Sequence, residues 1–421
     1  MNGLFFELLQ VAIGNRQALT SRPTDEEWEF LYSECEKHAL LGITFCGVER
    51  LPKEQFPPFD VAAEWVHDAQ VAKDRNMLLN KRCKEVCEYF ENDGFDSCIL
   101  KGQSNLANYP EYLKDYRTAG DIDVLCWPKN GNLDNVKVLA YVKGLYATAL
   151  KDLKSEIMYH HVDWEFAGIP VEIHFRASFF FNPLYNRKFQ KWVNDSLHSF
   201  VCLKEKEFPI PSVSFNAVYQ LVHIYRHLFS EGIGLRQLLD YYFVLQTLSV
   251  PLHRGKCREV RDKRLEVRRP PQSPCVGGEV SVEGLEVSGE RIGSLSTGEG
   301  GGRGRVMNII ERLGMKKFAG AVMYVLQTVF SMPDTYLLCP PDKKEGEFLL
   351  SEIMISGNFG RSDNRVEAVR KVKDTKDHFS TFIAREKFVF RLLRHYPSEA
   401  IWAPFWSVFI FFHIRWQKWR W

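Results

Sequence analysis

Residues 117–126 read RTAGDIDVLC, an apolar run that carries two acids one residue apart. The apolar positions predict a strand over DIDVLCW, residues 121–127. Side chains two apart on a strand share a face, so Asp121 and Asp123 project together while Ile122 and Val124 point into a core. Two carboxylates held side by side repel, and a cation between them relieves the repulsion. Hard oxygen donors suit Mg²⁺ or Mn²⁺, which take one or two carboxylates together with substrate phosphates.

The neighbouring segments extend this chemistry. Upstream, DSCILKG (96–102) predicts a short strand ending in Lys101-Gly102, just before a helix-compatible piece. A small residue there lets backbone amides approach a phosphate, and a following helix start favours an anion. Lys101 supplies positive charge, Ser104 offers a hydroxyl, and Arg117 is a further residue for the phosphate chain. Arg117 has an alternative role, as a structural ion pair with Asp115 or Glu111. Downstream, VEIHF (171–175) repeats the alternation, so that Glu172 shares a face with His174 while Val171 and Ile173 pack. A third carboxylate on a neighbouring strand would complete a two-metal site for phosphoryl displacement. His174 is a further site residue that would orient Glu172 or touch substrate.

The order of a glycine-serine turn, an apolar-Asp-apolar-Asp strand and a later acid-bearing strand resembles the DNA polymerase β-type nucleotidyltransferase superfamily. More narrowly, LKG, R…GDIDVL and VEIHFR resemble a bacterial family of uncharacterised nucleotidyltransferases. These motifs cover roughly residues 98–176. The resemblance implies an α+β fold, a small mixed β-sheet core with helical N-terminal and C-terminal parts. It implies Asp121, Asp123 and Glu172 as catalytic metal ligands, and Gly102 and Ser104 as the turn holding a triphosphate. The turn here reads Gly-Gln-Ser rather than Gly-Ser, and the gap to Asp121 is longer than the usual pattern, which bears most on Ser104.

Around this centre the chain divides into a helical part (1–94), the sheet-bearing core (95–208), a second helical part (209–250) and a helical C-terminal part (306–421). Residues 251–305 break the pattern. They contain no Phe, Trp or Tyr, eleven glycines and eleven Lys or Arg. Such a segment cannot offset its ordering entropy by burial and is expected to be a disordered insertion in a loop of a helical domain. MYHHVDWEF and VEIHFRASFFF, separated by Gly168-Ile169-Pro170, are expected to form a hairpin.

With a net charge of +2, the composition argues against a long nucleic acid partner. Ten scattered cysteines without a CxxC pair point away from a zinc framework or disulfides and towards the cytoplasm. The N-terminus lacks the basic start of a signal peptide. The uncharged run 401–412 is shorter than the ~20 residues that span a bilayer. Residues 401–421 are expected to dock as an aromatic helix, with membrane-surface contact as the weaker alternative. His160, His161 and His174 with Asp163 would suit zinc if the strands paired suitably, but no HExxH signature accompanies them. No G-x-S-x-G is present.

The expected activity is metal-dependent transfer of a nucleotidyl group from an NTP to an acceptor hydroxyl, with Glu172 also available to take the acceptor's proton. The acceptor is open among a small molecule, a sugar, a protein side chain and an RNA end. The alternative is an inactive relative that keeps the fold and binds a nucleotide or a protein partner.

Overall fold

Four short strands form a mixed sheet in the computed structural model of the chain, which describes residues 2–129, 131–149, 157–197, 201–202, 207–249, 302–374 and 378–420. The strands are β1 (Phe95–Ile99), β2 (Ile122–Pro128), β3 (His161–Phe166) and β4 (Ile169–His174), in the spatial order β1-β2-β4-β3. β2 and β4 run parallel, and the two outer pairings are antiparallel. The fold is thus α+β, with helical parts before and after the sheet.

Alternation along the strands sorts the side chains into two cores. Ile99, Ile122, Val124, Cys126, Val162, Val171 and Ile173 face one side. The long Phe59–Asn92 helix covers them with Leu79, Cys83, Val86 and Phe90, whose spacing of four, three and four forms one stripe. The Asn135–Ala149 helix adds Val138, Leu139 and Val142. Each fully buried aliphatic chain contributes on the order of 1.5–3 kcal/mol. On the opposite face Cys98, Leu100, Leu125 and Trp127 join a larger core with the Val213–Ser230 and Leu235–Ser249 helices. From Phe215 to Phe229 only Arg226 escapes full burial, so that helix has no solvent face.

The β3–β4 hairpin turns at Ala167 and Gly168, both in the left-handed region at φ 48° and 78°. Two such residues make the tight turn that matches the twist of paired strands, so Ile169 and Pro170 already belong to β4 rather than to the turn. β4 stops at His174, and Arg176–Phe181 leave the sheet.

Residues 1–249 and 302–421 pack as one unit. Of the expected insertion, 251–301 lie outside the described residues, while 302–305 open the Gly302–Arg312 helix. Gly302 sits against Leu248, whose Cδ1 would lie 3.6 Å from a Cβ at that position. The two flanking helices therefore meet where the extra segment enters. At the C-terminus the Ala403–Arg420 helix docks through Trp406, whose ring lies 4.8 Å from Tyr159 and 5.0 Å from Phe179. Phe405, Val408 and Phe412 on the same helix are exposed. No helix among the described residues is long and apolar enough to cross a membrane.

Candidate functional site

Strand register builds the site. Asp123 on β2 lies directly beside Glu172 on β4, and Glu172 lies beside Asp163 on β3. Three acids from three neighbouring strands thus form a row across one face. One step along, Leu125, His174 and His161 make the next row on the same face.

Cations and imidazoles hold this acidic row together. Lys101 Nζ reaches Asp123 Oδ1 at 2.9 Å, and His174 Nε2 reaches the same oxygen at 3.0 Å. His174 Nε2 also lies 3.2 Å from Glu172 Oε2, while its Nδ1 faces the Arg176 carbonyl at 3.3 Å. His161 bridges outward, with Nδ1 3.3 Å from Glu172 Oε2 and Nε2 3.1 Å from Asp163 Oδ1. His160 Nε2 approaches His161 Nδ1 at 3.2 Å.

The electrostatics follow from this packing. Burial alone would lower the basicity of His174, but its bonds to Asp123 and Glu172 outweigh burial and raise it to about 9. At neutral pH it is therefore an imidazolium that donates from both ring nitrogens. Burial would raise Glu172, yet Lys101, His174 and His161 hold it well below the usual carboxylate range. Lys101 is likewise desolvated, and Asp123, Glu172 and Asp121 more than compensate, keeping it firmly protonated. His160 has no carboxylate within salt-bridge distance among the described residues, so burial and the neighbouring His161 keep it neutral.

A cleft partly open to solvent adjoins the row. Of the residues singled out in the sequence, Lys101, Gly102, Arg117, Asp121 and Asp123 line it. Gly102 holds φ +65°, a conformation that a side chain disfavours, although a Cβ there would meet nothing nearer than the Asp121 carbonyl at 3.8 Å. Ser104, Glu172 and His174 stand behind the lining. Ser104 is buried at the start of the Gly102–Asn108 helical turn, and its hydroxyl makes no hydrogen bond.

Asp123, Glu172 and His174 bring ligand atoms within 4.8 Å of one another, as do His161, Asp163 and Glu172, and also the three histidines 160, 161 and 174. Asp121 belongs to none of these groups. The β2 ladder starts at Ile122, so Asp121 precedes the paired strand and reaches the cleft from its rim.

Arg117 takes neither of the partners considered from sequence. Its Nε and Nη2 donate to the two oxygens of Asp240, both at 2.7 Å, and Tyr109 donates to the same carboxylate at 2.7 Å. The sequence reading also passed over Gly120, Gln220, His223, Arg236, Gln237, Asp240 and Phe359, which complete the cleft. The signal for Arg236, Gln237 and Asp240 was three polar residues inside LRQLLDYYFVL, a run whose apolar density otherwise marks full burial. Phe359 arrives from a different part of the chain, and nothing local marks it.

A family model described as uncharacterised nucleotidyltransferase matches residues 24–270, more than half of the chain. The chain belongs to this family. No curated protein and no solved structure matches it. The matched span contains the whole sheet and every cleft residue except Phe359, so the nucleotidyltransferase region and the site coincide. Membership supports nucleotidyl transfer as the general activity and an NTP as substrate.

Proposed function

We propose that this nucleotidyltransferase moves an NMP group from a Mg²⁺- or Mn²⁺-bound NTP to an acceptor hydroxyl in the cleft beside β2. The observation that carries the reading is the register that sets Asp123 beside Glu172 on parallel strands, at a cleft also lined by Asp121, Lys101 and Gly102.

The donor set fits a hard divalent cation. Both Lys101 and His174 contact Asp123 through Oδ1, which leaves Oδ2 for a ligand. Asp121, Asp123 and Glu172 would hold the metal, which supplies charge neutralisation for the phosphates and the departing oxygen.

The chain's own groups prepare the site. Lys101 and His174 balance the acidic row, so the buried Asp123 carboxylate and the half-buried Glu172 carboxylate can stand close together. The left-handed backbone at Gly102 presents the turn to the phosphates, and Lys101 adds a charge-assisted donor. Ser104, buried two residues further on with its hydroxyl unpartnered among the described residues, would support that turn. Arg117 acts on the phosphates through its place in the wall, with its fork held by Asp240. Glu172 is kept ionised by three basic neighbours. A carboxylate held that low is a poor proton acceptor, so its part in this reading is as a ligand rather than as the base.

Thermal shift with each of the four NTPs and Mg²⁺, on the wild type and on Asp121→Asn and Asp123→Asn, tests the assignment. Stabilisation in the wild type that both variants lose is the expected result. Undiminished stabilisation in both would sink it. Mass spectrometry of pyrophosphate release across an acceptor panel then identifies the hydroxyl that is modified.

A further inference from the structure

The cleft that Asp121 and Asp123 line is also lined by Arg236 and Gln237 at the start of the Leu235–Ser249 helix. Both are more than nine-tenths buried, at 8% and 5% exposure. Arg236 Nη1 donates to the Thr118 carbonyl at 2.7 Å, but its Nε is buried without a partner among the described residues. No carboxylate lies within salt-bridge distance of Arg236 among the described residues. The nearby Asp240 is committed to Arg117 and Tyr109. Gln237 accepts from the Gly234 amide through Oε1 at 3.0 Å, while its Nε2 is buried and idle.

The lining therefore holds a buried cation that makes no direct ion pair among the described residues, with Asp240 and Asp121 acting on it only at longer range, beside a second donor unused there. Each such group carries a desolvation cost until an acceptor arrives. Burial and the neighbouring Arg117 bring the Arg236 pKa down to about 10, so the guanidinium is still charged at neutral pH.

We propose that Arg236 and Gln237 form an anion subsite for the pyrophosphate end of the nucleoside triphosphate. The assignment rests on reading the cleft as the nucleotide site. The mixed lining selects the class of anion. Asp121 and Asp123 repel a simple carboxylate or monophosphate entering the same space, whereas a polyphosphate that carries its own divalent cation satisfies both the acids and the donors. In the transfer, the acceptor oxygen forms a bond to the α-phosphorus and gives up its proton to solvent. The bridging bond from the α-phosphorus to the β-phosphate oxygen breaks, and its electron pair leaves with pyrophosphate. Arg236 and Gln237 donate to the charge that grows on that leaving group, so their contribution rises towards the transition state.

The test is calorimetric titration of the full chain with magnesium pyrophosphate, AMP and each Mg-NTP, with the ligand-free melting temperature of every variant recorded. The wild type is expected to bind magnesium pyrophosphate. Arg236→Gln should weaken it by about tenfold or more, Arg236→Lys by less, and AMP affinity should stay unchanged in both. Gln237→Leu keeps the charge and should weaken pyrophosphate by about threefold, which covers the case in which Arg236→Gln fails to fold. Failure of the wild type to bind pyrophosphate overturns the subsite, as does equal affinity in the Arg236 and Gln237 variants. Pyrophosphate binding that needs Arg236, in a chain that binds none of the four NTPs, upholds the anion subsite and refutes nucleotidyl transfer. NTP binding that the Asp123→Asn variant loses and Arg236→Gln keeps does the reverse.

Discussion

Asp240→Asn tests whether Arg117 is chiefly an anchor for the cleft. Arg117 and Asp240 are 4% and 3% exposed, joined by two 2.7 Å bonds, with a third from Tyr109. The amide has the same shape but no charge, and it turns one acceptor into a donor facing a guanidinium. Removing one member of a buried, doubly bonded ion pair costs about 3–5 kcal/mol, because the other charge stays buried and uncompensated. For the residues packed in the main unit, an unfolding entropy of ~2.1 cal/mol/K per residue converts that loss to roughly 4–7 °C in melting temperature. Asn76 Nδ2 donates to the Arg117 carbonyl and Arg236 to that of Thr118, so the loosened segment runs directly towards Asp121. Calorimetric melting and urea titration of the wild type, Asp240→Asn, Arg117→Met and the double variant Arg117→Met/Asp240→Leu measure the effect. The double variant should recover most of the loss, since it leaves no orphaned charge. A loss below about 1 kcal/mol for Asp240→Asn, or a double variant no better than the single one, would refute the reasoning.

Three further outcomes are expected. Burial of Glu399 raises its pKa from 4.5 to about 8, against two backbone donors at Phe181 and Asn182 that pull the other way. The folded state thus holds this proton more tightly than the unfolded chain. Its contribution is complete below about 4.5 and disappears as the pH rises through about 8, a few kcal/mol in all; denaturant titrations from pH 5 to 9 should show that fall, and Glu399→Gln should flatten it. Gly102→Ala has room for its methyl group but not the right backbone, so it should cost about 1–2 kcal/mol and weaken Mg-NTP binding, both read by thermal shift. Lys101→Met removes a cation from the Asp123 carboxylate, which should lower metal-free stability by about 1–3 kcal/mol; Mg²⁺ should restore part of it, measured as melting with Mg²⁺ against EDTA.

Much of the centre was legible from local pattern. Strands run through 96–99, 122–127 and 171–174, where apolar alternation placed them, and Ile122 and Val124 do point away from Asp123. LKG, GDIDVL and VEIHFR carried the family resemblance that the family match bears out. Glu172 and His174 were placed on one face by spacing alone, and the structure has them 3.2 Å apart. The hairpin turn was misplaced by two residues because Gly-Ile-Pro reads as a turn, while Ala167 shows no preference for the left-handed backbone it adopts. The helical C-terminal part opens with two helices, Gly302–Arg312 and Lys316–Phe330, that break around Gly314.

The sequence by itself determined which residues alternate, which faces carry acids and which helices surround them, since backbone geometry at a single residue sets the direction of its side chain. Tertiary structure alone decided that Arg117 belongs to Asp240, 123 positions away, and that Arg236 and Asp121 line the same cleft. It also decided that Asp123 meets Glu172 and Asp163 in one row. Strand order and helix docking set those partnerships. They depend on how whole elements bury their apolar faces against one another, and no local period in the sequence records that choice.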